Sequence, residues 1–289
     1  MYSPMSMATR WRYAVVVTLC CLVTLPLSTQ AQETSLVPVL VDGETVRLAM
    51  RIYKPVAGNP APTLVFNHGS TGMGTDPGLF SRPIDAPVVA RFFVQRGWAV
   101  VMPARRGRGG SDGLYDEGFA ADRPRGYTCD PAVSLAGANR ALRDVEAAMA
   151  AILAMPFVDG SRVVIGGVSR GGILSVAYAG QHPEQIKGVI NFVGGWLGTG
   201  CSSAPTVNRA LFSRGGRYPY DSIWIYGDGD PFYPLSHSRD NFGAFQTAGG
   251  RGAFHEFVGG HQVSSHPDLW GHAVESYLRQ RGLPADPSP

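Results

Sequence analysis

The stretch Val163-Val164-Ile165-Gly166-Gly167-Val168-Ser169-Arg170-Gly171-Gly172-Ile173 decides the reading of this chain. It runs from a β-branched strand pattern straight into a helical one, with a serine at the junction. A serine there sits on a strained turn, and its close neighbours must be small; Gly167 and Gly171 meet that need. The turn lifts the hydroxyl above the end of a sheet. The helix that starts behind it aims free backbone N–H groups at any oxyanion that forms beside the hydroxyl. Gly-x-Ser-x-Gly alone is a moderate signal, because glycine-rich turns are common. A strand before it and a helix after it make it much more specific.

Outward from this point, strand-like and helix-like segments alternate along the chain, which predicts an α/β fold with a mostly parallel twisted sheet of about eight strands and helices on both faces. Residues 36–41 and 45–53 read as a hairpin turned at Asp42-Gly43. Six further apolar runs follow at 63–67, 98–103, 163–168, 189–193, 222–226 and 253–258, continuous enough to be strands covered on both sides. Helices are expected at 86–96, 132–155, 171–181, 235–248 and 268–281. The second is the clearest, with Leu135, Ala138, Leu142, Val145, Met149 and Ile152 three to four residues apart. Two long stretches, 104–130 and 195–220, read as irregular lid loops. Each follows a strand, so in a parallel sheet each would lie at the carboxyl edge, where ligands bind. The tail from Leu283 reads as frayed.

The chain has 289 residues, 25 Lys+Arg against 22 Asp+Glu, and four cysteines. Residues 1–31 carry Arg10 and Arg12, then an apolar run over 13–27, then Ser28-Thr29-Gln30-Ala31. That is the pattern of a secretory signal peptide, and the apolar run is shorter than the roughly 20 residues of a transmembrane span. Cleavage after Ala31 leaves 23 basic against 22 acidic residues. It leaves no basic run with interleaved aromatics, so neither nucleic acid nor, once the leader is gone, a membrane is an expected partner. Residues 32–289 then read as one domain, periplasmic or secreted. Cleavage also removes Cys20 and Cys21, and the remaining pair, Cys129 and Cys201, is a disulfide candidate in an exported protein.

Serine attacks only when a base takes its proton. Seven histidines are available. His261 follows Gly259-Gly260 on the loop after the last strand, free to reach over the sheet edge, and His266 is its rival. His255 lies within the strand; His182, His237 and His272 read as helix-surface positions. The base in turn needs a carboxylate to fix its tautomer. The strand at 222–226 ends in Gly227-Asp228-Gly229-Asp230-Pro231, where either aspartate can serve. No His-Glu-x-x-His or Cys/His spacing suggests a metal, and no cofactor is expected.

These residues resemble an α/β-hydrolase, with most likeness to the dienelactone hydrolase-like and prolyl-oligopeptidase-like branch. The likeness rests on Asn67-His68-Gly69-Ser70, on Arg106-Gly107-Arg108-Gly109-Gly110-Ser111-Asp112-Gly113, on the Ser169 turn, on Gly227–Pro231 and on Gly259-Gly260-His261. It implies Asp230 as the acid, giving the order Ser169, Asp230, His261, and the backbone amides of Ser70 and Arg170 as the oxyanion hole. Dienelactone hydrolase proper uses a cysteine where this chain has Ser169, and prolyl-oligopeptidase relatives carry a propeller for which this length leaves no room. The resemblance therefore implies a small serine esterase acting on a small-molecule ester through an acyl-enzyme. A peptidase or amidase, an acyltransferase, and a non-catalytic binding protein on the same scaffold are the alternatives. Trp196, Tyr127, Phe232 and Tyr233 are candidate substrate-binding walls. The arginines at 105–108 either hold a substrate carboxylate or pair with Asp112 and Asp116, and the likeness favours the pairing. A Cys129–Cys201 bond would tie the two lid loops together.

Overall fold

Apolar runs buried on both faces dictate the sheet. The computed structural model describes residues 31–55 and 60–288; apart from Ala31, the expected leader lies outside them. Among the described residues eight strands form in chain order: β1 (Ala31–Val41), β2 (Glu44–Lys54), β3 (Ala61–Asn67), β4 (Ala99–Pro103), β5 (Val158–Val168), β6 (Gly188–Phe192), β7 (Asp221–Gly227) and β8 (Arg251–Phe257). Every residue of β3, β4 and β6 is buried, whereas β8 at the sheet edge is half-exposed. The spatial order is β1-β2-β4-β3-β5-β6-β7-β8. The hairpin turns at Asp42-Gly43, with Val41 paired to Glu44, and β2 runs antiparallel to β4; all remaining pairs are parallel.

Among the described residues six α-helices cover this sheet: α1 (Pro87–Val94), α2 (Pro131–Leu153), α3 (Arg170–Gln181), α4 (Ala204–Ser213), α5 (Leu235–Thr247) and α6 (Pro267–Gln280). The long α2 begins where Asp130 accepts a hydrogen bond from the Val133 N–H at 2.9 Å, with Pro131 in the first turn. Helices α1 and α6 pack together on one face, and α2, α3, α4 and α5 on the other. Trp98, Trp224 and Trp270 are fully buried between the layers. Among the described residues no helix is long and apolar enough to cross a membrane.

Three features differ from expectation. The stretch 195–220 is not wholly irregular, because it holds α4. That helix buries Ala204, Val207, Asn208, Leu211 and Phe212 on one face, and the polar Asn208 in the middle of that face masks its periodicity. His237 is not on a helix surface: it is buried, with Nε2 3.0 Å from the Asn208 side-chain nitrogen. The tail is not frayed. Leu283 and Ala285 are buried, Trp98 Nε1 donates to the Pro284 carbonyl at 2.9 Å, and Arg96 Nε donates to that of Ala285 at 2.9 Å.

The order of strands reverses between β3 and β5, which lie side by side with Asn67 level with Gly167. The turn after β3 and the turn after β5 therefore face each other, at the switch point where open α/β sheets form clefts. A Cβ on Gly171 would collide with the backbone of Asn67 and His68, neither of which can rotate away. Gly171→Ala should lower unfolding free energy by about 1–3 kcal/mol, read from urea denaturation; an unchanged midpoint would contradict the close approach.

Candidate active site

The strain expected at the strand–helix junction is present. Ser169 has φ 57° and ψ −123°, a left-handed conformation for a side chain that disfavours it. Backbone bonds hold it there: its N–H donates to the Phe192 carbonyl at 3.0 Å, and its own carbonyl accepts from Gly172 at 2.9 Å, Gly195 at 3.2 Å and Ile173 at 3.3 Å. The residue is buried, 7% exposed, and lines a cavity of about 810 Å³.

Strand β7 ends at Gly227, and the turn behind it separates the two aspartates. Asp228 is exposed, whereas Asp230 is 3% exposed. One Asp230 oxygen, Oδ1, accepts from the backbone N–H groups of Phe232 at 2.8 Å and Tyr233 at 3.1 Å. The other, Oδ2, lies 2.8 Å from His261 Nδ1. That bond puts the Nδ1 proton toward the carboxylate and leaves Nε2 free to accept. The histidine side chain is 18% exposed and opens onto the same cavity as Ser169. Its rival His266 is exposed and lies outside the cavity lining.

On the other side of Ser169 runs the turn after β3. A Cβ on Gly69 would come within 3.2 Å of the Ser169 Cβ. Within this turn His68 is committed to structure: Nδ1 donates to the Gly69 carbonyl at 2.7 Å, and Nε2 accepts the Arg105 N–H at 3.1 Å. Accepting at Nε2 requires the neutral ring. Burial, and then the charges of Arg105 and Arg108, hold its pKa well below the usual histidine value. Thr71 gives its N–H to the Tyr127 hydroxyl at 3.2 Å. The neighbouring Ser70 N–H donates to no acceptor among the described residues, and the Arg170 N–H stands at the first position of α3, where a helix offers none.

All four expected wall residues line the cavity, together with Cys129 and Cys201. Tyr127 and Trp196 clamp the Arg170 guanidinium, which lies 3.8 Å and 4.2 Å from their ring centroids. Phe232 and Tyr233 pack on the His261 ring at 4.9 Å and 5.6 Å between centroids. Burial pushes the Tyr233 phenol up to about 12, with the adjacent Ser169 side chain opposing the shift. Cys129 and Cys201 form a disulfide across 72 residues of sequence, joining the segment before α2 to that before α4.

Of the arginines at 105–108, Arg105 and Arg106 pair with acids, but not the expected ones; Arg108 pairs with no acid among the described residues and instead donates Nη1 to the Gly69 carbonyl at 3.4 Å and lies over the Tyr115 ring. Arg105 bonds Glu117 and Arg106 bonds Asp144, each at 2.5 Å, whereas Asp112 pairs with Arg47 and Asp116 with Arg123. Glu117 stands in a stretch with no periodicity to mark it. Its only sequence signal is that buried arginines require an acid somewhere nearby.

The fold and this constellation define an α/β-hydrolase. Residues 42–201 match the model of the X-Pro dipeptidyl-peptidases (S15 family), and the chain belongs to that family. No curated protein matches this chain. Among solved structures, the chain is similar to Est1E from Butyrivibrio proteoclasticus with bound ferulic acid: 14% identity, 84% of this chain and 98% of that one, TM-score 0.61. It is similar also to an acetyl xylan esterase from Paenibacillus sp. R4: 17% identity, 88% of each chain, TM-score 0.60. A third is the acylaminoacyl peptidase of Pyrococcus horikoshii, at 15% identity over 90% of this chain but only 43% of that one, TM-score 0.60. At such identities these likenesses establish the fold.

Two measurements bear on this geometry. The intact oxidised protein should be 2 Da lighter than the reduced one, because closing a disulfide removes two hydrogens; losing the bond should cost about 4 kcal/mol on the chain-entropy model. The depressed pKa of His68 gives stability that is complete above the unfolded value near 6.5 and is lost as pH falls below it, because only the unfolded chain takes up the proton. His68→Gln should therefore flatten the pH dependence of urea stability between 6.5 and 5 by up to about 1.4 kcal/mol per pH unit relative to wild type.

Proposed function

We propose that this chain is an exported serine hydrolase that cleaves a carboxylic ester through an acyl-enzyme. Ser169 is the nucleophile, His261 the base and Asp230 the acid that orients it. The observation that carries the reading is the 2.8 Å bond between Asp230 and His261 Nδ1, with His261 and the strained Ser169 on one cavity. His261 Nε2 takes the hydroxyl proton as Ser169 attacks the carbonyl carbon. Asp230, held by two backbone N–H groups, stabilises the imidazolium without itself taking the proton. The amides of Ser70 and Arg170 receive the tetrahedral oxyanion. Collapse expels the alcohol, which takes the proton from His261; water then enters by the same base and releases the acid.

Charge in the cavity favours a neutral substrate. Apart from His261, the charged side chains lining it are Asp85 and Arg170. Arg170 is paired with Glu117, and Asp85 accepts from the Tyr53 hydroxyl at 2.5 Å and faces Arg51. A dipeptidyl-peptidase must hold the ammonium of its substrate, and among the described lining residues no unengaged carboxylate is presented to one. The ester reading is in keeping with neighbours whose names include an acetyl xylan esterase and a complex with ferulic acid. The second reading, a peptidase, is favoured by the family match. Tyr127, Trp196, Phe232 and Tyr233 then form the substrate walls. Export is supported by the leader-like N-terminus and by the disulfide.

Hydrolysis of nitrophenyl esters of graded chain length, run against X-Pro and aminoacyl nitroanilides, decides between the two readings; faster turnover of the anilides would overturn the ester assignment. Ser169→Ala should abolish both hydrolysis and labelling by a fluorophosphonate probe, and labelling that persists would remove Ser169 from its role. Loss of either amide donor would cost about a hundredfold or more in kcat.

A further inference from the structure

The Gly69 carbonyl and the Ser70 N–H belong to one planar peptide unit, so holding the carbonyl fixes the direction of the N–H. Three side chains converge on that carbonyl: His68 Nδ1 at 2.7 Å, Arg105 Nη2 at 3.4 Å and Arg108 Nη1 at 3.4 Å. Arg105 also donates Nη1 to the preceding carbonyl, that of His68, at 2.9 Å. One guanidinium thus grips two consecutive carbonyls of the turn.

Glu117 aims this guanidinium. Its Oε1 accepts from Arg105 Nε at 2.5 Å, and the two side chains are almost wholly buried. The second oxygen, Oε2, accepts from the Tyr115 hydroxyl at 3.1 Å and from Arg170 Nη1 at 3.3 Å. The Glu117 backbone carbonyl takes the same Arg170 nitrogen at 2.9 Å. Arg170 directly follows Ser169. One buried carboxylate therefore touches the support of both amide donors, on turns that belong to different strands. Burial pushes the Glu117 carboxyl up, but the charges of Arg105 and Arg170 outweigh it and hold it ionised.

We propose that Glu117 is a positioning residue that sets the Ser70 and Arg170 amides at their mutual spacing, acting through Arg105 on one side and the Arg170 side chain on the other. This rests on the reading of Ser169 as nucleophile with those amides as oxyanion donors. Without the carboxylate, the buried guanidiniums lose their shared partner and repel each other, and the turn keeps His68 on the Gly69 carbonyl but loses the aimed Arg105 grip on two successive carbonyls. A hydrogen bond aimed at a transition state suffers more from a small misplacement than substrate binding does. The cationic cluster on the Gly69 carbonyl also polarises its peptide, which strengthens the Ser70 N–H as a donor.

The test compares wild type with Glu117→Gln and Arg105→Lys on a nitrophenyl ester, with rates normalised to active sites titrated to completion by a fluorophosphonate. Alongside, the inhibition constant is measured for a trifluoromethyl ketone, which forms an oxyanion on the serine. The expected result is a kcat per titrated site about 10- to 100-fold lower, a KM within threefold of wild type, and ketone affinity falling in step with kcat/KM. Wild-type kcat per site, with only the melting temperature or the titratable fraction reduced, would overturn the proposal and leave Glu117 a structural residue. If Glu117→Gln does not fold, Arg105→Lys carries the same readouts with the same overturning result. Ser169→Ala separates the two levels: an active Ser169→Ala enzyme defeats the nucleophile assignment and this proposal together. An inactive one beside a fully active Glu117→Gln enzyme defeats this proposal alone.

Discussion

The contact on which the rest of the molecule depends is the side-by-side run of β3 and β5, with the Asn67 carbonyl against Gly167 and Gly171. Nothing larger than hydrogen fits at either glycine, because each faces backbone rather than a side chain that can turn aside. That closeness brings the turn at 68–70 against Ser169 and allows the serine its left-handed backbone. Val193, just after β6, is also left-handed at φ 40°, so strain gathers on neighbouring turns at the carboxyl edge. Such strain persists only where the surrounding structure over-determines it. Here the fully buried strands β3 and β6 supply that constraint.

Around this centre the polar groups divide into two separate systems. Asp230 and His261 form one, supported by backbone N–H groups from their own turn and walled by Phe232 and Tyr233. Glu117, Arg105, Arg170, Tyr115 and Tyr127 form the other, which reaches the turn after β3 through Thr71, His68 and Gly69. The first opens onto the cavity through His261. Apart from Tyr127, which lines the same cavity, the second is buried. Its low dielectric strengthens each bond and raises the cost of leaving one unmade. The disulfide braces the outer side, tying the segment that follows Tyr127 to the one that follows Trp196, the two rings that clamp Arg170.

Local chemistry made much of this readable in advance. Runs of Val and Ile, the Asp42-Gly43 turn, the spacing of apolar residues in α2 and the glycines about Ser169 are each decided within a few residues, so the strands, most helices and the elbow follow from the chain alone. The helix α4 did not, because Asn208 sits on its buried face and spends its side chain on the backbone of Trp196 and Leu197. The docked tail did not either, because its partners Arg96 and Trp98 lie far away in sequence.

What the sequence alone determined was which residue types can do the chemistry and on which kind of element each stands: a serine between strand and helix, a histidine after paired glycines, an aspartate in a turn. Tertiary structure decided among equals. Asp230 rather than Asp228 faces His261, because the turn after Gly227 buries one carboxylate and exposes the other. Arg105 meets Glu117 rather than a nearer acid, because both are carried into the interior while Asp112 and Asp116 stay near the surface with Arg47 and Arg123. An ionised group in the interior needs its partner within hydrogen-bond reach. That partner is set by the path of the backbone through space, which a local pattern of residues does not contain.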